Sequence, residues 1–137
     1  MKGFGDAVAA AIGATKYLYI RAGDEHRFIP IWVVVVEGRV FVRPWNDKAS
    51  GWHGTFLRDK RGAIQVNGKE VPVRAKAARG EKLNDAVDSA YAAKYTTKPN
   101  QKYVTGFATA KRRGTTLELL PAQVGARRSR KREGRVS

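Results

Sequence analysis

Two glycine-centred turns, each set between β-rich runs, constrain this chain more than anything else in it. In "FIPIWVVVVEGRVFVRP" a run of β-branched and aromatic residues stops at Glu37 and Gly38 and resumes at Arg39. Two residues between such runs, the second a glycine that accepts positive φ, predict a tight hairpin. "GAIQVNGKEVPVRAKA" repeats the pattern around Asn67 and Gly68, a pair suited to a type I′ turn. Strand alternation then assigns faces. Val40 and Val42 fall on one side, with Arg39, Phe41 and Arg43 on the other. Val71, Val73, Ala75 and Ala77 likewise oppose Arg74 and Lys76.

Helical periodicity appears elsewhere. Phe4, Ala7, Val8, Ala11 and Ile12 form an N-terminal stripe, with Gly13 placed as its C-cap. "EKLNDAVDSAYAAKY" carries Leu83, Ala86, Val87, Ala90, Tyr91 and Tyr95 on one face, leaving Asp85 and Asp88 on a solvent-facing edge. "KYLYIRAG" and "TTLELLP" read as strands, "QKYVTGF" as a helical turn, and Ser50 as the N-cap of a short helix through Trp52 and Phe56. The order is helix, strand, hairpin, short helix, hairpin, helix, strand. About six mainly antiparallel strands with so little edge protection are expected to curl into a small barrel flanked by helices, a mainly β (α+β) fold.

With 137 residues, the chain suits one domain, expected over residues 1–123. The formal charge is +15, of which the six basic residues from Arg127 onward, set against Glu133, contribute +5. That tail lacks apolar periodicity, so residues 124–137 are expected to be disordered and dispensable for folding. A field of this sign attracts phosphates and nucleic acid. With no Cys there is no disulfide framework and no thiolate chemistry. His26 and His53 lack partners at metal-ligand spacing, Asp24 and Glu25 read as a turn pair, and no P-loop, nucleophile elbow or Rossmann fingerprint occurs. No secretion signal is convincing and the longest apolar run is too short to span a bilayer, so a cytoplasmic protein without a membrane role is expected.

What remains is "RPWNDKASGWHG", residues 43–54. Donors from Arg43, Lys48 and Ser50 gather just before a predicted helix start, where free N–H groups favour an anion. Trp45 and Trp52 stand among them, able either to lie against a planar ring or to plug the end of a barrel. The residues alone leave both readings open.

The segments "KYLYIRAG", "RFIPIWVVVVEGRVFVRPWNDKASGWHGTFLRDKRGAIQV", "LNDAVDSAYAAKY" and "TTLELLP" resemble a bacterial family of small uncharacterised proteins. That family is similar to the FMN-binding split barrels of the pyridoxamine phosphate oxidase type, which include deazaflavin-dependent nitroreductases. "PIWVVVVEGRVFV" stands where those proteins carry a P-x-W-x-V strand pair. The resemblance implies a six-stranded antiparallel split β-barrel, an FMN or deazaflavin cofactor, and a homodimer. It places Lys48, Ser50, Gly51 and Trp52 at the cofactor phosphate and the following helix; Arg43 and Trp45, from the reading of the loop itself, complete the expected cofactor site. The chain departs from the deazaflavin enzymes in having "WNDKAS" where they carry a glycine-rich loop. The expected function is flavin- or deazaflavin-dependent reduction of a small molecule, the hydride being carried by the ring. His53, Tyr17, Tyr19 and Tyr103 are the available proton donors, with packing as their default role. Two alternatives stand beside it. One is a nucleic-acid-binding barrel using Arg39, Phe41, Arg43, Arg74 and Lys76. The other is a barrel that has lost catalysis and holds a small ligand.

Overall fold

A computed structural model describes residues 3–23, 27–45 and 51–122. In chain order the elements are α1 (Asp6–Ala14), β1 (Leu18–Ala22), β2 (Ile29–Ile31), β3 (Val34–Val36), β4 (Arg39–Val42), α2 (Trp52–Arg58), β5 (Arg61–Val66) and β6 (Lys69–Ala77). There follow α3 (Glu81–Lys94), a 3-10 turn (Lys98–Asn100), α4 (Gln101–Phe107), α5 (Ala110–Arg113) and β7 (Leu117–Pro121). The seven strands form one sheet in the order β2-β1-β5-β6-β7-β4-β3. Every pairing in it is antiparallel.

Both predicted turns close as expected. Glu37 and Gly38 have φ of 52° and 77°, and Asn67 and Gly68 have 52° and 78°, the paired positive φ of type I′ turns. Val36 faces Arg39 across the first and Val66 faces Lys69 across the second. The face assignment in β4 also holds. Val40 and Val42 join Leu18, Ile20, Ile64, Val73 and Leu119 in the inner core. Phe41 points the other way, into a second cluster with Val34, Val87, Tyr91, Tyr95 and Phe107 under α3 and α4. Alternating faces let one strand serve both cores.

The strand count differs from expectation by one. "FIPIWVVVV" is not a single strand but β2 and β3, divided at Trp32 and Val33. β2 pairs with β1 at one edge of the sheet and β3 pairs with β4 at the other. One continuous run therefore joins both edges, and its division is the split of the barrel. The division takes Val33 out of the ladder although it is fully buried, so its polar groups need other partners. The end of α3 supplies them. The Val33 N–H donates to Tyr95 Oη at 3.0 Å, and Lys94 Nζ donates to the Val33 carbonyl at 2.7 Å. The Tyr95 hydroxyl in turn donates to the Lys16 carbonyl at 2.7 Å. Burial lowers the Lys94 ammonium to about 8 and raises the Tyr95 phenol to about 12. Tyr95→Phe is expected to cost about 1–2 kcal/mol, because it strands a buried N–H. Denaturant unfolding checks this, and an unchanged midpoint would contradict it.

Two helix ends also shift. Gly13 lies within α1, against Val35, and Thr15 is the cap. The N-cap of α2 is Gly51 rather than Ser50, which lies outside the described residues. The helical turn expected from "QKYVTGF" is a full short helix, α4, and a further short helix, α5, follows it.

Candidate functional site

The end of β4, the start of α2, β2 and α4 surround a cleft of about 610 Å³. Its lining includes the aromatics Tyr17, Trp32, Trp45, Trp52, Tyr103 and Phe107, together with Ile29, Pro30 and Ile31. Arg43, Gly51 and Asn100 complete it. The two flanks of the 43–54 segment thus meet at one cavity, as Arg43 and Trp45 on one side and Gly51 and Trp52 on the other. Lys48 and Ser50, between these flanks, lie outside the described residues.

The indoles are set by their neighbours. Trp32 stacks on Tyr95 with ring centroids 3.8 Å apart and an interplanar angle of 1°. It is thereby fixed at the split itself. Trp45 meets Tyr103 and Phe107 edge to face, at 5.0 and 5.3 Å. The Arg112 guanidinium carbon lies 3.8 Å from the Trp45 ring centroid, and Arg112 Nε donates to the Trp45 carbonyl at 3.1 Å. Gly106 lets the indole this close, since a Cβ there would come within 2.5 Å of Trp45 Cη2. Trp52 packs edge to face on Phe56, 6.2 Å away, and borders the inner core. The opening choice between ring wall and barrel plug therefore divides by residue. Trp45, 44% exposed, faces the opening, whereas Trp52 serves both cleft and core.

Arg43 has a different place from the one expected. Its side chain is fully buried, and all five of its N–H donors meet acceptors of the protein itself. Nε donates to Thr116 Oγ1 at 2.8 Å, and Nη1 to Asp88 Oδ1 at 2.6 Å and the Phe107 carbonyl at 2.9 Å. Nη2 donates to the carbonyl and Oδ1 of Asn84 at 3.3 and 3.1 Å. A guanidinium so occupied has no donor left for a phosphate. Its work is to tie β4 to α3, α4 and the start of β7 at the back of the cleft. Asp88, read as a solvated edge residue, is its counter-charge and also meets Arg113 Nε at 3.2 Å.

Of the proton donors considered, Tyr17 and Tyr103 line the cleft and Tyr19 does not. His53 is buried, with Nε2 3.0 Å from the Thr115 carbonyl. A carbonyl only accepts, so that nitrogen carries the proton. The strand face considered for nucleic acid is depleted in the same way. Phe41 and Arg43 are buried, and Arg39 holds Glu118 through two bonds of 3.0 and 2.8 Å. Phe41 offers no stacking platform. Trp32, Asn100 and Phe107 complete the cleft from distant parts of the chain. The strand split and the Asn100 turn carry no periodic signal, so sequence patterning did not place these residues together. Among the described residues no three His, Asp or Glu side chains gather to hold a metal, and no helix is long and apolar enough to cross a membrane.

Sheet order, split and flanking helices define a split-barrel protein, and comparison with solved structures agrees. A conserved hypothetical protein from Mycobacterium tuberculosis superposes with a TM-score of 0.52 at 14% identity, covering 90% of this chain and 86% of its own. An FAD-binding protein from Mesorhizobium loti gives a TM-score of 0.52 at 12% identity, covering 89% and 93%. Residues 9–119 match the family described as uncharacterized protein conserved in bacteria, DUF2255, and the chain belongs to that family. No curated protein matches the chain.

Proposed function

We propose that the aromatic cleft holds the planar ring of a flavin, FMN or a deazaflavin coenzyme, and that the protein is a reductase acting on a small molecule. The observation that carries this reading is the convergence of Trp32, Trp45 and Tyr103 around one cavity, two of them held in place by contacts outside it. Its volume falls within the range of about 300–1,000 Å³ common to cofactor sites. Pre-set indoles cost little ordering entropy on binding. The shared fold of a protein described as FAD-binding supports the same reading.

The described residues fit the ring rather than the phosphate. Arg43 is spent on the scaffold, so the phosphate falls to Lys48, Ser50 and the backbone N–H groups after them. A bound flavin would supply the hydride chemistry, while the cleft walls orient the ring and exclude water. Tyr17 and Tyr103, 45% and 37% exposed at the cleft, form a rim that a second copy of the chain would cover in a homodimer.

Titration of the protein with FMN and with riboflavin, which differ by the phosphate, tests the reading. FMN is expected to bind at least about tenfold more tightly, since one charge-assisted contact contributes roughly 1.5–3 kcal/mol. Lys48→Ala should remove most of that difference and leave riboflavin affinity unchanged. Equal affinities would overturn the phosphate assignment, and no binding of either, nor of a deazaflavin coenzyme, would overturn the ring assignment.

A further inference from the structure

Asn100 is the preferred residue type for a helix N-cap, and it occupies that position at α4. It does not cap. No side-chain hydrogen bond reaches the helix, because the 3-10 turn before α4 already gives Asn100 a helical backbone with φ of −85° and ψ of −13°. Its own N–H donates to the Thr97 carbonyl at 3.0 Å, and among the described residues its side-chain amide has no partner. The corner that carries it is nevertheless pinned. Pro99 precedes it in the turn. Gln101 Nε2 donates to the carbonyls of Tyr95 and Thr97, both at 3.1 Å. A partly buried asparagine on a fixed corner therefore lines the aromatic cleft.

The other polar side chains of the cleft cannot do what this amide can. The donors of Arg43 are all occupied. Indoles only donate, and each tyrosine hydroxyl presents donor and acceptor on a single atom. Among the side chains of the described lining residues, Asn100 alone offers an N–H donor and a carbonyl acceptor side by side. The matching partner is a ring edge with an N–H next to a carbonyl, that is, a lactam or imide. We propose that Asn100 is the specificity residue of the cleft and pairs through two hydrogen bonds with the imide edge of a bound planar ring. This inference rests on the flavin reading, since flavins and deazaflavins share that edge, and it adds which edge is held and by what.

The test compares riboflavin with N3-methylriboflavin, in which the imide N–H is replaced by a methyl group. Both lack the phosphate, so Lys48 and Ser50 do not enter. Wild-type protein is expected to bind riboflavin about tenfold or more tightly than the methylated form. Asn100→Leu should lower riboflavin affinity by about the same factor and leave the methylated form unaffected, so that discrimination disappears. Asn100→Asp, the same shape without the donor, should retain part of it and serves if the leucine variant folds poorly. Discrimination that survives undiminished in both variants, or wild-type protein that binds the two forms alike, would overturn the assignment while the flavin reading stands. Failure of wild-type protein to bind either form, and FMN and a deazaflavin coenzyme as well, would overturn both.

Discussion

Arg43→Met is expected to destabilise the protein by about 3–5 kcal/mol. For a chain of this size that corresponds to a fall of roughly 10–20 °C in melting temperature. The magnitude follows from what is left behind. Asp88 would lose its closest cation, 2.6 Å away, Thr116 and the Phe107 carbonyl would lose a donor each, and Asn84 would lose two. Methionine fills much of the volume but satisfies none of these groups. Arg43→Lys should rescue little, because one ammonium with three donors cannot replace a planar fork with five. The check is a chemical denaturation midpoint at unchanged slope. A loss below about 1 kcal/mol would mean that the guanidinium is not the tie between β4, α3 and α4.

Gly62→Ala should cost about 3 kcal/mol, at the upper end of what overpacking does in a filled core. Gly62 lies in β5 between Ala22 of β1 and Val73 of β6. A Cβ there would come within 2.2 Å of the Arg21 carbonyl oxygen and 2.8 Å of two carbons of the Phe56 ring. The ring can move, but the carbonyl belongs to the sheet and cannot move without breaking pairing. Adding Phe56→Leu should therefore recover only part of the loss. Full recovery would place the whole conflict in the ring, and no loss at all would contradict the close approach of β1 and β5. The requirement here is space rather than positive φ, which separates Gly62 from the turn glycines.

Much of the fold was legible because it rests on local chemistry. The two type I′ turns and the α3 stripe through Val87, Tyr91 and Tyr95 follow from residue type and spacing within a few positions. The same holds for the opposed faces of Val40 and Phe41. The seventh strand was not legible. Nothing in "FIPIWVVVV" marks Trp32 and Val33 as a break, because the break arises when each half pairs with a different strand and Tyr95 and Lys94 take over the freed polar groups. The site was half legible. Both flanks of "RPWNDKASGWHG" do reach one cleft, yet Arg43 was placed with the ligand. Its acceptors lie 41 to 73 residues away in sequence. Charge patterning cannot tell an arginine that serves a ligand from one that serves the scaffold. Asp88 was misread for the same reason, since its helical face looks outward until β4 delivers a cation to it.

The most direct test of the central claim is a crystal structure of the protein grown with saturating FMN. The ring is predicted to lie between β2 and α4, in contact with Trp32, Trp45 and Tyr103, with its imide edge toward Asn100 and its phosphate toward Lys48. Clear density for FMN anywhere else on the barrel, with this cleft empty, would contradict the account.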